Sequence, residues 1–137
     1  KIDTIQAAML LVLLKHFKKR RSRRLEIAKL YNKELNNYVT CPVIQSREST
    51  HGLYTYAIQT NKRDKLMRYL NDKGIQNKIY HIPLASDAPV FKKYRRFKTP
   101  NARKILSRFL SIPAHEKITF SQQYYVINTI KNFFKIN

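Results

Sequence analysis

Residues 53–75 read LYTYAIQTNKRDKLMRYLNDKGI. Residues from Leu53 to Thr60 alternate: Tyr54, Tyr56 and Ile58 fall on one side, Leu53, Thr55 and Ala57 on the other, which predicts a half-buried strand. Asn61 followed by Asp64 is a helix-start signature. Leu66, Met67 and Leu70 form an apolar stripe at helical spacing. Gly74 suits the left-handed residue after a helix. Ile75 to His81 then reads as a second strand. A strand, a helix and a strand in this order put a small sheet at the centre of the fold.

The flanks are helical. No Pro or Gly occurs from Thr4 to Asn36, and apolar residues recur at Ile5, Ala8, Met9, Val12 and Leu13, then at Leu25, Ala28, Tyr31 and Leu35. That pattern predicts two helices, or one bent near residues 16–22. Between the two sets lies the block from Lys15 to Arg24, with seven formal positive charges. Like charges one turn apart cost a few tenths of a kcal/mol per pair, so an apolar face must hold this segment in place. Downstream, Pro83, Pro89 and Pro100 punctuate an irregular basic stretch. Ala102, Ile105, Leu106, Phe109 and Leu110 predict a short amphipathic helix, broken at Pro113. Thr119 with Gln122 matches a capping box, which opens a last helix carrying Tyr124, Ile127, Ile130 and Phe134.

The 137 residues fit one domain spanning 1–137, and 43% apolar content argues against disorder. A single cysteine, Cys41, excludes an internal disulfide framework. The four histidines, His16, His51, His81 and His115, have no metal-site spacing. With only Gly52 and Gly74, no glycine-rich phosphate loop is possible. The apolar run from Ala7 to Leu14 is too short to cross a membrane, which takes about 20 residues, so a cytoplasmic protein without a membrane span is expected. The net charge of +20 suggests a polyanionic partner, although no nucleic-acid motif accompanies it.

Several words of this sequence resemble the C-terminal part of the DegT/DnrJ/StrS family of sugar aminotransferases. Asp3-Thr4-Ile5-Gln6-Ala7-Ala8 with Leu14-Lys15-His16 resembles the family's opening helix. Ile27-Ala28-Lys29-Leu30-Tyr31-Asn32 is similar to its IAxxYN stretch, and Leu53-Tyr54 with Arg63-Asp64-Lys65-Leu66 to its HLY…RDEL segment. Tyr69-Leu70, Lys73-Gly74-Ile75 and Ile82-Pro83-Leu84 resemble YLKEKGI…PxPL. Leu110 to His115 resembles LSLPMH, and Tyr125-Val126-Ile127 with Ile130-Lys131 the last helix. The matches are collinear over nearly the whole chain.

The resemblance implies an α+β fold, the small domain of a fold-type-I aminotransferase: long N-terminal helical segments feeding a small, mainly antiparallel sheet with helices on one face. It implies a homodimeric parent enzyme that moves an amino group from glutamate to a nucleotide-linked keto sugar for surface-polysaccharide or secondary-metabolite synthesis. Pyridoxal phosphate would serve that parent, held by a lysine and an acid in an N-terminal large domain. None of the lysines here matches the cofactor-lysine motif, so no cofactor, catalytic residue or metal is assigned to this chain, which is expected to be inactive by itself. That it opens at Lys1, inside a helical pattern, agrees with a piece of a longer protein. Ile5, Val12 and Leu13 would then pack on the missing domain.

The resemblance places His51, Tyr80 and His81 towards the substrate. The sequence departs from the family at Gly52 and Ala85, where His is usual, at Lys1, where Arg is usual, and in a loop at residues 80–83 one residue shorter. Two other readings remain: a diverged non-catalytic binding or structural module, and a basic polyanion-binding domain built on Lys15–Arg24. Lys92 to Arg103, interleaved with Tyr94 and Phe97, reads as a surface loop anchored by its aromatics. Cys41 reads as an inert thiol, Asp64 as a cap, and Tyr54 with Tyr56 as packing more than as a sugar platform.

Overall fold

The computed structural model describes residues 2–44, 52–80, 82–94 and 98–136. Its elements are α1 (Thr4–Leu35), β1 (Tyr56–Gln59), α2 (Arg63–Asp72), α3 (Pro100–Leu106), β2 (Phe109–Ile112) and α4 (Phe120–Ile136), with short 3₁₀ turns at Ala85–Asp87 and Pro89–Tyr94. The fold is α+β, as expected.

The basic block does not divide α1 into two elements; one helix runs on for 32 residues. Its arginines are tied to the rest of the chain. Arg20 and Arg24 both donate to the Glu116 carboxylate, at 2.7 and 2.8 Å from their Nε atoms. Arg23 donates to the Ile118 carbonyl and lies over the Phe120 ring. These contacts offset the like-charge repulsion along the helix.

β1 and β2 pair antiparallel, with Tyr56 opposite Ile112 and Ile58 opposite Leu110. All four side chains are buried. The predicted helix over 102–110 is therefore wrong in its second half. α3 stops at Leu106, where Ser107 Oγ donates to the Lys104 carbonyl and competes with the helix. Leu110 gains complete burial by joining the sheet instead. The strand expected at 75–81 is reduced, among the described residues, to one bridge, Lys78 with Ser111.

Alternation also fails at the start of β1. Leu53 sits at φ +54° and turns its side chain into the core, whereas Tyr54 is 84% exposed. Tyr54 and Tyr56 thus share no face. Tyr56 is buried, with its ring centroid 5.0 Å from that of Tyr31, so packing is its role.

α2 begins at Arg63 with Lys62 as N-cap and no side-chain cap, so the reading of Asn61 and Asp64 as a cap is incorrect. Asp64 instead pairs with Arg63 Nε at 2.7 Å. The stop is as expected. Gly74 has φ +69°, Gly74 N–H donates to the Asn71 carbonyl, and Ile75 N–H donates to the Leu70 carbonyl at 2.8 Å. This is a Schellman ending, completed by burial of both Leu70 and Ile75.

The capping box opens α4 as predicted: Gln122 N–H donates to Thr119 Oγ1 and Thr119 N–H to Gln122 Oε1. The buried stripe of α4 centres on Gln123, Ile127, Ile130 and Phe133, one position off Phe134, and Tyr124 is exposed. Gln123 is fully buried, and its Nε2 donates to the Ile27 carbonyl, joining α4 to α1. Glu34 of α1 and Lys131 of α4 form an ion pair across the same contact.

Among the described residues, the first half of α1 has no such partner. Ile5, Met9, Leu10, Leu11, Val12, Leu13 and Leu14 are each between 47% and 71% exposed. Six of them are consecutive, so every side of the helix is apolar there, a composition that belongs to a helix buried all round.

Candidate functional site

A cleft of about 930 Å³ lies between residues 74–80, the turn 113–118 and the start of α4. Local rules position each wall. The Schellman turn at Gly74 directs residues 75–80 back along β2, where Lys78 and Ser111 exchange backbone hydrogen bonds of 3.1 and 2.9 Å. The opposite wall is fixed from below. Tyr31, fully buried on α1, donates its hydroxyl proton to the Pro113 carbonyl at 2.7 Å. Glu116 is clamped by Arg20 and Arg24. Tyr125 of α4 reaches across to the Lys73 carbonyl at 3.0 Å.

The lining is rich in neutral polar groups and cations. Gln76, Asn77 and Gln122 supply amides, while Tyr54, Thr55 and Tyr80 supply hydroxyls. Lys78, Arg24 and His115 supply positive or titratable nitrogen. Lys78 Nζ lies 5.0 Å from the Tyr80 ring centroid, within cation–π range. Among the described residues no carboxylate lines the cleft. The nearest structural acid, Glu116, is held at a pKa of about 2 by its own backbone hydrogen bond and the two guanidinium groups, so it stays ionised and neutralised. Such a lining suits a polyhydroxylated ligand carrying negative charge.

Of the three residues assigned towards the substrate, Tyr80 lines this cleft. His51 and His81 lie outside the described residues. Ala85, at a departure from the family pattern, starts the first 3₁₀ turn, which Arg103 secures through both its terminal nitrogens on Asp87 at 2.6 Å. His115, at the end of the stretch that resembles LSLPMH, is exposed and lines the cleft. Sequence reasoning missed Lys78 and Gln122. Lys78 lay within a predicted strand with no motif around it, and Gln122 was explained fully by its capping role.

Cys41 is half-buried, and burial pushes its thiol up from its ordinary value. It is no activated nucleophile. Among the described residues no group of three or more His, Cys, Asp or Glu side chains is gathered to hold a metal, and no helix is long and apolar enough to cross a membrane.

A model of the DegT/DnrJ/EryC1/StrS aminotransferase family matches residues 1–131. The chain is 30% identical over 141 residues to the pleiotropic regulatory protein of Geobacillus stearothermophilus, covering 98% of this chain and 38% of that one. It is 27% identical over 116 residues to GDP-perosamine synthase of Escherichia coli O157:H7, covering 82% of this chain and 31% of that one. A DegT/DnrJ/EryC1/StrS aminotransferase of Brucella abortus superposes with a TM-score of 0.90 at 30% identity, over 97% of this chain and 36% of that one. The chain thus spans about a third of the length of these relatives.

Proposed function

The chain belongs to the DegT/DnrJ/EryC1/StrS aminotransferase family, and from that premise we propose that it is the C-terminal domain of an enzyme transferring an amino group from glutamate to a nucleotide-linked keto sugar. The observation that carries this reading is the match of residues 1–131 to the family, together with a fold that superposes on a third of a family enzyme. GDP-perosamine synthase, whose name specifies a nucleotide sugar, supports the substrate class.

Pyridoxal phosphate, the cofactor implied by the family, needs a lysine for its aldehyde and an acid for its pyridine nitrogen. The cleft offers Lys78 without any lining carboxylate among the described residues, and Lys78 is set against Tyr80. These residues do not fit the cofactor. They fit the other reactant: amides and hydroxyls for sugar hydroxyls, Lys78 for a phosphate oxygen, and the Tyr80 ring for an apolar sugar face. In this reading the chain binds and orients the nucleotide sugar, and the cofactor is held by the part of the protein outside these residues. The exposed apolar half of α1 would pack against that part.

The test uses the protein carrying this chain together with its cofactor-binding domain. Lys78→Met is expected to raise KM for the nucleotide sugar about tenfold, the loss of one modest contact, with the cofactor absorbance band unchanged. An unchanged KM, or loss of the band in the variant, would overturn the assignment of the cleft.

A further inference from the structure

α1 divides its cations between two tasks. Arg20, Arg23 and Arg24 turn to the protein and are engaged by Glu116, Glu26 and the Ile118 carbonyl. The lysines do the opposite. At about 100° per residue, Lys15, Lys18, Lys19, Lys29 and Lys33 lie within about 60° of a single line along the helix. The buried residues Ile27, Ala28, Tyr31 and Leu35 occupy the other side. All five lysines are exposed, and among the described residues none of their side chains has a hydrogen bond or ion pair; Lys33 also lies in the field of Glu34, which is itself paired with Lys131. Glu26 is the acid on this line, and Arg23 neutralises it at 3.3 Å.

We propose that this lysine stripe is a docking surface for duplex nucleic acid. From Lys15 to Lys33 it extends about 27 Å at 1.5 Å per residue. A helix about 10–12 Å across with its side chains matches a major groove about 12 Å wide, with phosphates on both flanks. Lysine supplies point charges without base readout, so the contact is with the backbone and indifferent to sequence. An anionic bilayer is the poorer fit. Interfacial helices bury apolar residues beside their cations; the exposed apolar residues of α1 adjoin the stripe only at its start and end at Phe17, while Lys18, Lys19, Lys29 and Lys33 continue beyond them with no exposed large apolar neighbour on the helix. None of the five lysines lines the cleft, so the inference does not rest on the proposed function.

Five phosphate contacts predict a slope of about −4.5 for log K against log salt, a loss of about 500-fold between about 50 and 200 mM. The experiment measures anisotropy of a labelled duplex of about 20 base pairs with the full chain, at several salt concentrations. One variant carries Lys→Gln at 15, 18, 19, 29 and 33. A second carries Lys65→Gln, Lys93→Gln, Lys98→Gln, Lys104→Gln and Lys135→Gln and has the same net charge. Expected are the steep slope in the parent, retention in the second variant, and at least a hundredfold loss in the first. Equal losses in both variants would overturn the proposal by reducing it to net charge. Absent binding at low salt, or binding to phosphatidylserine vesicles and not to the duplex, would overturn it as well.

Discussion

Replacing Tyr31 by Phe tests how the cleft wall is held. Tyr31 is fully buried, and its hydroxyl donates to the Pro113 carbonyl at 2.7 Å. Phe keeps the ring, and with it the 5.0 Å contact to Tyr56, so no cavity of consequence opens. What is lost is one short hydrogen bond, and a carbonyl in the wall loses its donor. Leaving such a group unsatisfied costs about 1–3 kcal/mol. With a urea m-value of about 1–3 kcal/mol/M, the unfolding midpoint should fall by about 1 M. Tyr125→Phe removes a bond of 3.0 Å from a residue 51% exposed, and should cost less than about 0.5 kcal/mol. The alkaline limb gives a second readout. Burial pushes the Tyr31 phenol above its ordinary value of 10.0. The folded state therefore keeps a proton that the unfolded state releases, and stability is lost as pH rises beyond about 10. Tyr31→Phe should lessen that loss. Equal midpoints for Tyr31→Phe and the parent, or an unchanged alkaline slope, would refute the account of this wall.

The mirror case is Glu116, whose pKa of about 2 lies below its ordinary 4.5. Its contribution is present above about 4.5 and is lost as pH falls towards 2; thermal melts of Glu116→Gln should show a shallower acid limb than the parent. Gly74→Ala forces a side chain into φ +69° with open space around the new Cβ, so the penalty is conformational only, about 1–2 kcal/mol, read as a Tm lower by about 4–8 °C. The exposed apolar half of α1 predicts that the isolated chain binds an apolar dye and self-associates. Met9→Ser, Val12→Ser and Leu13→Ser together should reduce both in sedimentation and fluorescence assays, and a monomer without dye binding in the parent would contradict the exposure.

Local rules were legible where neighbours in sequence decide the outcome. The Gly74 stop and the Thr119–Gln122 box are each complete within a few residues, and both formed as read. What escaped depends on distant partners. Phe109 and Leu110 continue the period of α3, yet pairing with β1 draws them into a strand. The basic block looked like a break in α1 because Glu116, more than ninety residues on, could not be seen to neutralise it. Leu53 breaks the alternation of its strand through a left-handed backbone that no periodicity reveals. In the site, Tyr80 was reached through resemblance, while Lys78 and His115 came into view only when residues 74–80 and 113–118 were placed side by side.

The most direct test of the central claim is an amino-transfer assay on the protein carrying this chain together with its cofactor-binding domain. Supplied with pyridoxal phosphate, glutamate and a nucleotide-linked keto sugar, it should form 2-oxoglutarate and an amino sugar nucleotide of matching mass, in equal amounts. A protein that binds the cofactor yet aminates no nucleotide-linked keto sugar, or that forms 2-oxoglutarate well beyond one equivalent per cofactor with no such acceptor present, would contradict the claim.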